Sequence, residues 1–219
     1  ALVLMAAGHA VGWPSPRGGA GALTRAMASY LERLGGTVET GRPVADLREL
    51  PPARAVLLSL TPRQVLAVAG SALPAAYTHR LAAWRSAPGA SKVDWALDGP
   101  IPWAAEACRR AGTVHLGGTF EEVATSEAAA WAGGAAPSPP FVLLAQPTVF
   151  DPTRAPVGKH VAWAYCHVPN GSSVEMTARI EAQVERFAPG FGKLVQARRT
   201  HAPADLEAWN PNLVGGDVN

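Results

Sequence analysis

Between His160 and Val168 the chain alternates without interruption. Val161, Trp163, Tyr165 and His167 fall on one side, and Ala162, Ala164, Cys166 and Val168 on the other. Successive side chains of an extended segment point to opposite faces, so this run reads as a strand with one large, partly polar face and one small face. The small face suits close packing beneath a helix, and the large face suits the wall of a cavity. Lys92–Asp98 alternates in the same way, setting Val93, Trp95 and Leu97 against Lys92, Asp94, Ala96 and Asp98. Gly112–Gly117 and the apolar Phe141–Ala145 add two shorter strand candidates.

Helical signals separate these strands. Thr119-Phe120-Glu121-Glu122 has the spacing of a capping box and opens a helix to about Trp131. Ser172-Ser173-Val174-Glu175 has the same spacing and predicts a helix to about Phe187, with Thr177, Ile180, Val184 and Phe187 turned inward. Pro189-Gly190 closes it; a strand-like piece at Leu194–Ala197 and a short helix near Pro203–Trp209 follow. The loop from Gly133 to Pro140 is rich in Gly, Ala, Pro and Ser.

The first third of the chain has a different texture. The turn Trp13-Pro14-Ser15-Pro16-Arg17-Gly18-Gly19 precedes a helix from about Ala20 to Leu34, on which Leu23, Met27, Tyr30, Leu31 and Leu34 form one apolar stripe. Gly35-Gly36 ends it, and three extended pieces are expected next: Thr37–Thr40, Val44–Leu47 and the apolar Ala55–Leu60, the last buried on both faces. Thr61-Pro62-Arg63-Gln64 combines an N-cap, a proline at the first helical position and a capping glutamine, so Ala55–Leu60 would run straight into a helix to about Ala69. A further helical pattern spans about Leu73–Trp84.

With 48% hydrophobic and 16% charged residues among 219, the chain is globular and long enough to bury a core. A net charge of +2, with no Lys/Arg run, argues against a nucleic-acid partner. Cys108 and Cys166 show neither C-x-x-C nor metal-ligand spacing, which makes a reducing cytoplasm the default compartment. No apolar run reaches membrane-spanning length, which leaves only peripheral membrane contact. The chain starts in ALVLMAA, which reads as the tail of a buried helix, and stops at 213–219 with neither helix nor polar tail. It is therefore expected to be an interior piece of a longer protein.

Most catalytic classes find no support. The six histidines do not pair with each other or with carboxylates at ligand spacing, so no metal site is expected. G-x-S-x-G is absent. Gly18-Gly19-Ala20-Gly21 precedes a helix without matching G-x-G-x-x-G. Asp94, Asp98, Glu121 and Glu122 read as solvated or capping carboxylates.

Resemblance extends the reading. The turn–helix–G-G unit with T-V-E-T-G-R-P-V and A-V-L-L-S-L-T-P, the run from Lys92 to Pro100, Trp163–Ser172, Ile180–Phe191 and Val214-Gly215-Gly216-Asp217 together resemble flavin-dependent oxidoreductases of the phytoene desaturase and amine oxidase superfamily, in particular the bacterial phytoene dehydrogenase-like branch. The resemblance implies an α/β (α+β) chain in which part of an FAD/NAD(P)-binding Rossmann-like domain interleaves with a substrate domain of mixed sheet plus helices. Residues 1–12 would end a substrate-domain helix, 13–70 and 192–219 would belong to the FAD domain, and 71–191 to the substrate domain.

It further implies an FAD cofactor and an apolar or amine substrate. Backbone at Val44, flanked by Arg42 and Pro43, would meet the adenine end of FAD. Gly18 and Gly19 would lie near the cofactor, and Trp163, Tyr165 and His167 would face the substrate over the flavin. The family's G-x-G-x-x-G fingerprint and its Gly-rich segment beside the flavin ring are not in this sequence. The competing expectation is a non-catalytic binding or assembly module of the same ancestry without a cofactor.

Overall fold

The computed structural model describes residues 2–218. Its centre is one five-stranded antiparallel sheet in the order β2-β3-β4-β1-β5. The strands are β1 (Gly89–Leu97), β2 (Thr113–Leu116), β3 (Val142–Ala145), β4 (His160–Val168) and β5 (Val195–His201). The long central pair β4 and β1 aligns residue for residue from Gly89↔Val168 to Leu97↔His160. The alternation read from the sequence sets their two faces. Val93, Trp95 and Leu97 join Ala162, Ala164, Cys166 and Val168 on the closed face.

A helix, α6 (Thr177–Phe187), covers that face through Ile180 and Val184, both fully buried and flanked by Met176, Ala188 and Phe191. Ala162 and Ala164 permit this close approach because they add little bulk above the sheet. Each fully buried Val, Ile or Phe contributes roughly 1.5–3 kcal/mol. Trp95 meets Phe191 edge to face at a centroid distance of 5.1 Å, and its Nε1 donates to Glu181 Oε1. At the far edge Gln183 Nε2 donates to the Leu116 carbonyl, so α6 also pins β2. The capping box at Thr119 forms as expected at the start of α5 (Phe120–Ala132), and its Glu122 also holds Arg186 of α6.

Some helix starts differ from the expectation. The Ser172–Glu175 spacing makes no capping box: Ser172 Oγ accepts from the Val174 amide and Glu175 Oε1 from Thr177, and the helix begins at Thr177. These side chains close local turns, an alternative that such residues always offer the backbone. Thr61 precedes α3 (Pro62–Ala69) without capping it, because Gln64 reaches instead to the Pro211 carbonyl. Short α4 (Ala75–Ala82) packs beside α3.

The larger corrections lie in the first 60 residues. Helices α1 (Leu2–Val11) and α2 (Ala20–Arg33) form, but neither buries a residue. The stripe Leu23, Met27, Tyr30, Leu31 and Leu34 is 45–68% exposed. Thr37–Thr40, Val44–Leu47 and Ala55–Leu60 are not strands. Leu57 is 95% exposed, where a strand buried on both faces was expected. Apolar extended segments become strands only beside a partner edge, and among the described residues the only sheet is the one above. Asp46 instead caps the single turn Leu47–Glu49, and Arg48 beside it lowers the Asp46 carboxyl to about 2.

The segment after Gly192 enters the same sheet as edge strand β5 before α7 (Pro203–Trp209). Arg63 to Glu207, Gln64 to Pro211 and the Thr61 amide to Asn212 then tie α3 to α7 and the turn after it.

Candidate functional site

The second face of the sheet is only half closed, and the strand register defines what it carries. One transverse row runs Thr113, Ala145, Trp163, Asp94, Arg199; the next runs His115, Leu143, Tyr165, Lys92, His201. Paired residues of an antiparallel ladder share a face. The β3–β4 half is therefore apolar and aromatic, and the β1–β5 half is ionic.

Trp163 and Tyr165 lie nearly parallel, at 14° and 6.4 Å between centroids, and Tyr165 meets His167 edge-on at 5.6 Å. The Lys92 ammonium sits 5.5 Å over the Trp163 ring and pairs with Asp94, whose Oδ2 also lies 3.3 Å from His201 Nε2. The two halves thus meet at Lys92. The Tyr165 phenol is raised above its ordinary range, first by burial and then by the Glu127 charge.

Glu127 descends from α5 and its Oε2 lies 2.7 Å from His167 Nδ1. His167 Nε2 and Glu127 Oε1 are buried without a hydrogen-bond partner among the described residues. Nδ1–H donating to the carboxylate fixes the tautomer with a bare Nε2, the arrangement of an oriented base. Glu127 does not stand out in the sequence because it lies in a helix with no motif around it. The only signal is its place in the helix that follows the capping box.

Cys166, between Tyr165 and His167, points to the closed face, where burial first and Glu127 second push its thiol up to about 12. A thiol that ionises only at such high pH is a poor nucleophile. Dithionitrobenzoate on the folded protein at pH 8 should therefore label half-buried Cys108 alone, and labelling of Cys166 should appear only with denaturant. Equal rates for both thiols in native buffer would refute this placement.

Trp163, Tyr165 and His167 share one face, as their spacing predicts. The other sequence candidates sit apart. Gly18 and Gly19 have φ of 81° and 80° at the start of α2. The Gly18 amide donates to Asp151 Oδ2 at 2.8 Å, and that of Gly19 to the Pro16 carbonyl. An added Gly19 Cβ would meet only the movable end of the Arg154 side chain, so it is the φ of 80° that favours glycine there. Arg42 pairs with Glu39 at 2.8 Å, and Val44 is half-buried in irregular backbone. No hydrogen bond or ion pair among the described residues joins either group to the open face.

A cleft of about 440 Å³ opens where β1 ends and β4 begins, lined by Leu97, Ile101, Thr148, His160 and Val161 among others. Val161 stands at the end of the open-face column that continues to Trp163. Among the described residues, no three His, Cys, Asp or Glu side chains gather as a metal site, and no helix is long and apolar enough to cross a membrane.

No protein-family model matches this chain, and no curated protein resembles it significantly.

Proposed function

We propose that these residues are the substrate-facing portion of an FAD-dependent oxidoreductase of the phytoene dehydrogenase-like type, a Rossmann-like FAD domain being the part that covers the open face. The observation that carries the reading is the half-closed aromatic face Trp163–Tyr165–His167 on a sheet whose other side is packed along β1 and β4. α5 covers only the His167 end of this face, through Glu127, and leaves Trp163 and Tyr165 half-exposed. The unpartnered stripe of α2 is a second support, since it is apolar surface of the kind that a further layer of structure covers.

The fit of the cofactor to these residues is uneven. The Gly18 amide is already taken by the Asp151 carboxylate, and that charge at the start of α2 opposes a phosphate there. Gly18 and Gly19 therefore do not suit the FAD diphosphate. The backbone from Arg42 to Val44 has no internal hydrogen bonds among the described residues and suits a main-chain contact to an adenine. Bound flavin would supply the hydride acceptor. Trp163 and Tyr165 would orient an apolar or amine substrate and exclude water, and Glu127 would hold His167 with its Nε2 free to accept a proton.

The test is the colour of the complete gene product. It should purify with flavin absorbance, and Tyr165→Ala should raise KM for the substrate while the flavin content stays the same. Colourless protein that takes up no added FAD would overturn this reading. The Asp151–Gly18 contact would then favour the second one, a binding module without a cofactor.

A further inference from the structure

We infer that the cleft between the end of β1 and the start of β4 binds an aliphatic monocarboxylate, its chain in the cleft and its acid group on Arg109 and His160. The inference rests on neither the flavin nor the aromatic face. At about 440 Å³ the cleft has the size of a small-ligand site. Leu97, Pro100, Ile101, Pro102, Val149 and Val161 line it with aliphatic groups, and none of its lining residues is Phe, Tyr or Trp. Such walls offer burial without stacking, so they suit an alkyl chain better than a flat ring.

Two of the polar walls are fixed in advance. Gln146 is buried, with Oε1 engaged by Trp103 and Nε2 by the carbonyls of Cys108 and Ala111. Thr148 Oγ1 is paired with the amide and the carbonyl of Val161. Both shape the cleft and leave recognition to the other two polar groups. Arg109 spends Nε and one N–H of Nη2 on the Trp103 carbonyl, which keeps Nη1 and the outer edge of the guanidinium free. That edge takes a carboxylate by two parallel hydrogen bonds. The His160 ring makes no hydrogen bond or ion pair among the described residues, and even a neutral imidazole carries one N–H donor.

No carboxylate competes for them. No Asp or Glu lines the cleft, and Arg109 forms no ion pair among the described residues. Of the acids that adjoin the cleft along the chain, Asp98 is held by Lys159, and Asp151 by Thr153 and the Gly18 amide. Glu106, exposed in the turn that leads to Arg109, makes no ion pair. An incoming amine would therefore meet donors without an acid, whereas a carboxylate meets two partners.

The test is calorimetric titration of the complete gene product with octanoate, octan-1-ol and octylammonium, the same chain ended by an anion, a neutral group and a cation. Octanoate should bind at least tenfold more tightly than either of the others. Butanoate should bind at least tenfold more weakly than octanoate, since each buried methylene is worth about fourfold. Raising salt should weaken octanoate but not octan-1-ol. Arg109→Gln should weaken octanoate about tenfold, the scale of one charge-assisted bond, and His160→Phe about threefold. Because Arg109 also holds the Trp103 carbonyl, its variant is read beside Pro100→Glu. That substitution sets an acid at the exposed rim, leaves the network intact and should weaken octanoate as much as Arg109→Gln does.

Octylammonium bound as tightly as octanoate, an unaltered octanoate affinity in either Arg109→Gln or Pro100→Glu, or no binding of octanoate at millimolar concentration would each overturn the inference. Binding to phosphatidylserine vesicles with none to free octanoate would do the same. Flavin content is read separately by absorbance and does not enter these outcomes, so this inference and the flavin reading stand or fall apart.

Discussion

Replacing Trp103 by alanine should destabilise the protein by about 4 kcal/mol or more, a large part of the 5–15 kcal/mol typical of a whole domain. Trp103 lies in the connection between β1 and β2, yet it is 1% exposed and among the largest buried side chains. Its indole Nε1 donates to Gln146 Oε1 at 3.0 Å, and Gln146, itself 4% exposed, donates through Nε2 to the carbonyls of Cys108 and Ala111. Arg109 closes the arrangement from outside by donating to the Trp103 carbonyl.

Alanine would leave a cavity and also strand the Gln146 oxygen in it, two costs that arise separately. Trp103→Phe keeps most of the volume and should cost only about 1–3 kcal/mol, chiefly the orphaned Gln146 Oε1. Gln146→Leu added to Trp103→Phe removes that orphan but frees the carbonyls of Cys108 and Ala111, so the two substitutions should be strongly non-additive. Urea unfolding of the parent, Trp103→Ala, Trp103→Phe, Gln146→Leu and the double variant measures all of this. A loss below 1 kcal/mol for Trp103→Ala would mean that the connection is not locked by this network. The same network forms one wall of the cleft through Gln146 and Arg109, so the variants should also change its shape.

The strands of the sheet could be read from the sequence because each of their faces obeys one rule. In β4 the alternation of small and large residues coincides with the burial of Ala162, Ala164, Cys166 and Val168 and the half-exposure of Trp163, Tyr165 and His167. The same holds for Val93, Trp95 and Leu97 in β1. What alternation cannot supply is the partner. Ala55–Leu60 has the composition of a buried strand, but a strand is a relation between two segments, and this one has no neighbouring edge.

Capping spacings fail for a similar reason. Thr119–Glu122 closes on itself, whereas Gln64 has the carbonyl of Pro211 within reach, a contact made 147 positions away. The site was half legible. Its aromatic column lies in one strand and shows in the sequence, while its ionic column of Lys92, Asp94, Arg199 and His201 needs β1 and β5 to pair across 100 residues. Glu127 reaches His167 from another element altogether.

Gly216→Ala should cost about 3 kcal/mol, and this locates the role of the Val214–Asp217 turn in packing. Gly216 has φ 82°, where a Cβ alone costs roughly 1–2 kcal/mol. That Cβ would lie 2.6 Å from Pro203 Cα, a backbone atom that cannot rotate away. Overpacking of this kind adds about 1–3 kcal/mol. The turn is fixed on several sides. The Asn170 side-chain amide donates to the carbonyls of Ala87 and Val214, the Gly171 amide to that of Gly215, and the Ala87 amide to Asp217 Oδ2.

Gly89 completes the fit from the other side, since a Cβ there would come within 2.4 Å of the Gly215 carbonyl oxygen. Gly89→Ala should thus push that oxygen away from Gly171 and loosen the start of β1, with a loss of similar size. Gly133 supplies the control: its φ is 72°, and an added Cβ meets nothing within 4 Å. Gly133→Ala should therefore lose only the conformational part, about 1–2 kcal/mol. Thermal unfolding of the three variants separates strain from contact. Equal losses at Gly133 and Gly216 would mean that the turn is not held against α7, and that its two glycines serve only the left-handed backbone.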